Sequence, residues 1–212
     1  MKTLLLLFKF CTSCLADYGV IQDPDGYTNM RKSGSVKAPV VHKILNHQVF
    51  HYFGRLEQPW ISVNIDTDDG KRVSGFVHRS RIMPLTKMKK LKQGEAISIS
   101  YTTQPFVKAD HKISQNEHGG VGKIDGLTVW GTDGGLPKTE ITGVQLTLNG
   151  KKIEVPKRLF ANLYEPSKQF NIYSHEGVFY IPQHCSDGAG GYHLVWVVDQ
   201  KGKLTRWVDS PY

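Results

Sequence analysis

Asn149-Gly150 stands between two strand-like runs, residues 141–148 and 151–155. A two-residue loop of this composition joins antiparallel strands, because both positions tolerate the positive φ of a tight hairpin. The same grammar recurs along the chain. Asp23-Pro24-Asp25-Gly26 puts proline where a turn wants a fixed φ and glycine where it needs φ > 0. Asp68-Asp69-Gly70-Lys71 is a hairpin turn between residues 60–65, which alternate apolar and polar, and residues 73–77. Residues 96–101 alternate cleanly, and residues 127–130, 170–174, 178–182, 192–199 and 204–208 read as further strands. Residues 110–126, polar and rich in glycine, form a long loop or a hairpin. Residues 156–163, opening on a proline, are the one place for a short helix. The expected fold class is all-β.

Five or six short strands within residues 17–85 imply a small β-barrel. Residues 95–212 are long enough for a β-sandwich-like second domain. Residues 86–94 between them are polar and basic and are expected to be a linker. The formal net charge is +8, and its distribution argues against nucleic acid as a partner. Residues 95–212 balance 12 basic against 12 acidic residues, and residues 17–85 hold 9 against 7. The remaining excess is Lys2 and Lys9 in residues 1–16 and Lys87, Lys89, Lys90 and Lys92 in the linker, whereas a nucleic-acid face spreads its basic side chains over a folded surface.

Residues 1–16 have the layout of a signal peptide: Lys2, an apolar run at residues 4–10 broken only by Lys9, and cleavage after Ala16. The run is too short for a transmembrane anchor, which takes ~20 residues. A lipoprotein with its lipid on Cys11 or Cys14 fits poorly, because the residues before each cysteine depart from that signal. The expected location is therefore secreted or periplasmic. Cleavage leaves Cys185 alone, so stability rests on packing and not on a disulfide.

Residues 25–31 (Asp-Gly-Tyr-Thr-Asn-Met-Arg), 60–63 (Trp-Ile-Ser-Val) and 75–82 (Gly-Phe-Val-His-Arg-Ser-Arg-Ile) occur in the order in which the bacterial SH3-like domain carries such motifs. Residues 17–85 resemble that family, although Arg31-Lys32-Ser33-Gly34-Ser35 departs from its usual Arg-Ser-Gly-Pro. The resemblance implies a non-catalytic binding module of cell-wall or envelope proteins. The second half resembles a group of exported bacterial proteins through Gly131-Thr132-Asp133-Gly134-Gly135-Leu136-Pro137, the Asn149-Gly150-Lys151 hairpin, and Ser186 to Tyr192 followed by Leu194-Val195-Trp196. That likeness brings no activity with it.

Candidate ligand contacts in the first domain are Tyr27, Tyr52, Trp60 and His78, because aromatic rings supply contact area at low conformational cost. Asn29 and Arg31 are expected to fix the turn through backbone hydrogen bonds. In the second domain Asp133, Asp187 and Tyr192 belong to two glycine-rich loops suited to polymer or protein contact. Neither loop continues into a phosphate-binding helix, and no acidic repeat at calcium-loop spacing is present. No metal or cofactor is expected. Cys185 beside His184 is the sharpest case for an enzyme, but neighbours on a strand point to opposite faces, which separates a thiol from its base. The expected function is a non-catalytic exported binding protein of the bacterial cell envelope, its SH3-like domain recognising a wall glycan, peptide or protein. The alternative is an inhibitor or immunity-type protein that caps a partner enzyme. A hydrolase ranks below both.

Overall fold

The computed structural model describes residues 18–53, 56–67 and 71–210. The signal peptide expected at residues 1–16 and the Asp68-Asp69-Gly70 turn lie outside the described residues. The chain divides into two units, Met1–Pro84 and Leu85–Tyr212. Both are built from antiparallel β-ladders, and the described residues contain 3-10 turns but no α-helix.

The first unit contributes β1 (Tyr18–Ile21), β2 (Tyr27–Arg31), β3 (Val40–Leu45), β4 (Val49–Phe53), β5 (Trp60–Asp66), β6 (Arg72–His78) and β7 (Ile82–Pro84). They form one seven-stranded sheet in the order β3-β2-β6-β5-β4-β1-β7. Alternation in β5 buries Ile61, Val63 and Ile65 and leaves Trp60, Ser62 and Asn64 half-buried. With Ile21, Met30, Ile44, Phe50 and Val77 they make the core of this unit, each such side chain contributing about 1.5–3 kcal/mol by leaving water.

The expected closed barrel is not formed, since no ladder joins the terminal strands β3 and β7 among the described residues. The sheet is instead drawn together where β2 crosses β6. They share a single residue pair, Arg31 and Phe76. A Cβ at Gly75 would stand 2.7 Å from Met30 Cγ and 2.8 Å from the Arg31 carbonyl oxygen, so only glycine admits this approach.

The second unit opens with β8 (Lys89–Leu91) and β9 (Ile97–Pro105), followed by β10 (Ile113–Gln115), β11 (Val121–Ile124) and β12 (Leu127–Thr128). Next come β13 (Thr139–Leu148), β14 (Lys151–Ile153), β15 (Ile172–His175), β16 (Val178–Cys185), β17 (Tyr192–Val198) and β18 (Leu204–Asp209). A three-stranded sheet, β14-β13-β9, faces a five-stranded one, β18-β17-β16-β15-β8, as a β-sandwich-like pair. Ile97, Ile99, Leu146 and Leu148 from the first share a core with Ile181, Leu194, Trp196 and Val198 from the second. Residues 110–126 form the hairpin β10–β11, which β12 extends to a small third sheet.

Two segments differ from expectation. Within the supposed linker, Lys89–Leu91 pairs with Ile172–Ser174 and buries Leu91, while Lys89 and Lys90 stay exposed on this edge strand. Residues 156–163 make only a 3-10 turn at Lys157–Leu159. The chain is then held extended beside Trp130, whose N–H donates to the Asn162 carbonyl (3.0 Å) and whose carbonyl accepts from the Tyr164 N–H (2.9 Å), and this stops a helix.

Candidate functional site

The two glycine-rich loops of the second unit come together. The first leaves Gly131 at φ 110°, where a Cβ would collide with the Tyr164 carbonyl. Its middle is pinned by a hydrogen bond from the Val121 N–H to the Gly134 carbonyl (2.8 Å). The second loop starts at Ser186, held at φ 60° by a bond from its hydroxyl to the Gly131 carbonyl (2.9 Å). Between them they enclose one side of a groove of about 750 Å³, with Asp133 and Asp187 both exposed along it.

The opposite side of the groove is the end of the β9–β13 ladder, with Thr103, Gln104 and Pro105 from β9 and Thr139 from β13. Glu165, at φ 47°, braces it from below. One Glu165 carboxylate oxygen accepts from the backbone N–H groups of Lys138 and Thr139, the latter at 2.9 Å, and its carbonyl accepts from the Ser186 N–H at 3.1 Å. Lys138 and Lys168 complete the charged lining. Threonine and serine hydroxyls, an amide, three carboxylates and two ammonium groups thus share one concave surface. Among the described residues, no aromatic ring and no cysteine lines it.

Gln104 is oriented from behind. Its amide donates to Glu140 (2.6 Å), and the other Glu140 oxygen lies 3.1 Å from His111 Nε2. His111 Nδ1 is 2.7 Å from Asp125, and the imidazole stacks on Phe106 with centroids 4.6 Å apart. The hydrogen bond from His111, and a second from the Lys112 N–H, hold the Asp125 carboxyl below the usual carboxylate range.

Tyr192 is not a ligand contact. It is fully buried, and its hydroxyl donates to the Tyr164 carbonyl (3.0 Å) while its ring backs Gly131. Burial pushes its phenol well above the ordinary value. The ring supports the loop it was expected to decorate. Tyr52 is likewise a core residue, 5% exposed against Gly19. The inward-facing side of each strand claims these two rings, and residue type alone does not reveal which side that is.

The remaining expected contacts stay at the surface of the first unit. Trp60 and His78 meet edge to face at 5.4 Å, and Gly34 lies against Trp60. His78 also caps the 3-10 turn Arg79–Arg81 through its ring nitrogen, 2.8 Å from the Ser80 hydroxyl. Tyr27 is half-buried on β2, with Lys43 Nζ 4.2 Å from its ring centroid. Arg31 donates to the Ala38 carbonyl (2.8 Å) in the loop between β2 and β3 and not to the Asp23–Gly26 turn it was expected to fix, whose Asp23 carbonyl accepts instead from the Asn46 amide (2.8 Å).

Cys185 is fully buried and its thiol is pushed upward by that burial, while His184 stands exposed on the other side of the strand, its ring 4.7 Å from His193. Among the described residues no group of three or more His, Cys, Asp or Glu side chains is arranged to hold a metal ion, and no helix is long and apolar enough to cross a membrane. Sequence reasoning reached Asp133 and Asp187 and missed Thr103, Gln104, Lys138, Glu165 and Lys168. No local pattern marks those five, because the ladder and the Glu165 brace assemble them across long sequence distances. Comparison with known proteins finds no matching family model, no matching curated protein and no matching solved structure.

Proposed function

We infer that the chain is an exported, non-catalytic binding protein of the bacterial cell envelope, and that the groove of its second unit takes the ligand. The observation that carries this reading is the convergence of the Asp133 and Asp187 loops on one groove of about 750 Å³. Its volume suits a ligand of several rings or residues. Its lining of hydroxyls, amide and charges of both signs suits a hydroxylated glycan bearing amide or peptide groups, as in cell-wall polymer. The likeness of residues 17–85 to the bacterial SH3-like domain adds the envelope setting. The non-catalytic part draws on Cys185, whose buried, neutral thiol is kept apart from the His184 ring.

Pelleting of residues 17–212 with insoluble peptidoglycan at two salt concentrations tests this. Salt-resistant pelleting that Asp133→Ala/Asp187→Ala loses and Tyr27→Ala keeps is the expected result. Loss only in Tyr27→Ala moves the site to the SH3-like unit. Pelleting that vanishes at the higher salt reduces the effect to the lysines at residues 87–92.

The alternative, an inhibitor or immunity-type protein that caps a partner enzyme, is favoured by a different surface. Val40, Val41 and Leu45 on β3 remain exposed.

A further inference from the structure

β3 ends the sheet of the first unit and, among the described residues, pairs with β2 alone. A terminal strand offers backbone N–H and C=O groups to an incoming strand, and proteins usually blunt such an edge. Here the blunting is partial. A β-bulge disturbs the ladder where Val40 meets Arg31, and Lys43 projects from the middle of the strand. Yet Val36, Val40, Val41 and Leu45 are 71, 47, 40 and 60% exposed, half of the large exposed apolar side chains among the described residues. Apolar exposure concentrated within ten residues on an open edge marks a contact surface.

Charge selects the occupant. Between Asp25 and Glu57 the chain carries no acidic residue, whereas Arg31, Lys32, Lys37 and Lys43 all belong to the β2–β3 hairpin and its loop. Lys43 is held over the Tyr27 ring at 4.2 Å, which fixes its ammonium on the hairpin's outer face. A second copy of this chain would bring the same positive charge to the edge and be repelled. We propose that the β3 edge accepts an extended acidic segment of a protein partner as an eighth strand. Lys43 faces a carboxylate of that segment, and Leu45 and the Val40–Val41 end face flanking apolar residues. Leu45 already exchanges hydrogen bonds with Gln48, donating to its side chain (3.3 Å) and accepting from its N–H (3.2 Å), so the added ladder runs along the residues before it.

The probe is a capped heptapeptide, Thr-Val-Thr-Glu-Thr-Val-Thr, whose two valines and glutamate share one face of an extended strand, titrated against the full chain by fluorescence anisotropy. Three comparisons accompany it: the same peptide N-methylated at alternate residues, the chain with Lys43→Glu, and the chain with Asp133→Ala/Asp187→Ala. Saturable binding weakened at least about tenfold by Lys43→Glu, lost on N-methylation and kept by the double variant is expected. Equal affinity for Lys43→Glu, or for the N-methylated peptide, overturns the proposal. So does loss of binding in the double variant, which would place the peptide in the groove. Absence of binding with concentration-dependent dimerisation of the chain overturns it in favour of a second copy. A groove that fails to bind peptidoglycan leaves this test intact, because the two surfaces lie in different units.

Discussion

Gly190 lies against the peptide joining Thr132 to Asp133, so closely that a Cβ on Gly190 would stand 2.8 Å from the Thr132 carbonyl carbon. One glycine-rich loop therefore seats the other. Gly190→Ala forces them apart, and close contacts with backbone relax at a cost of about 1–3 kcal/mol. The expected outcome is a severalfold loss of peptidoglycan pelleting with a lowered but still cooperative thermal transition. Gly143→Ala is the control, because Gly143 lies outside the groove lining and a Cβ there comes no closer than 3.7 Å to Thr102, and it should pellet like the unaltered chain.

A buried polar chain spans the sandwich core. Trp196 Nε1 donates to the Tyr101 hydroxyl (2.7 Å), which donates to Gln183, whose amide in turn donates to the Ser167 carbonyl (3.0 Å). Tyr101→Phe removes the middle link and leaves a buried donor and a buried acceptor unpaired. About 1–3 kcal/mol of stability should be lost, read as a shifted urea midpoint with an unchanged slope.

The Asp125 carboxyl is held low by His111 and by the Lys112 N–H. A carboxyl depressed in the folded state contributes stability that is present above its unfolded value of about 3.9 and lost as pH falls through the folded value. Asp125→Asn should therefore lower Tm at pH 6, and the deficit should shrink below about pH 4. A deficit constant across that window would mean that the ionised carboxylate is not what the His111 contact stabilises.

Cys185 is buried and its thiol is raised by that burial. Ellman's reagent should leave residues 17–212 unlabelled in buffer and react with one thiol per chain in denaturant. Rapid labelling of the folded chain would reopen the hydrolase reading.

Much of the fold was legible because turn chemistry is local. Asn149 and Gly150 adopt φ 49° and 77°, the doubly positive turn that their types allow, and β13 and β14 pair directly across them. Alternation likewise located β5 and β9, with Ile61, Val63, Ile97 and Ile99 inward. Lys89–Leu91 was illegible as a strand because its one apolar residue finds a partner in Ile172, far along the chain. Barrel closure was illegible for a related reason: strand count does not reveal that β2 meets β6 through one residue pair at Gly75. Tyr52 and Tyr192 were misplaced because an aromatic side chain suits a core and a ligand surface equally. Of the groove, only the loops that announce themselves by glycine were visible in advance.

On the proposed function, the groove of the second unit binds cell-wall polymer. Titrating the ¹⁵N-labelled chain (residues 17–212) with soluble peptidoglycan fragments and following the backbone amides tests it most directly. Saturable shifts at Thr132, Asp133, Lys138, Thr139, Ser186 and Asp187, with the first unit unmoved, are the predicted result. Shifts confined to the first unit, or none at millimolar fragment, would contradict the claim.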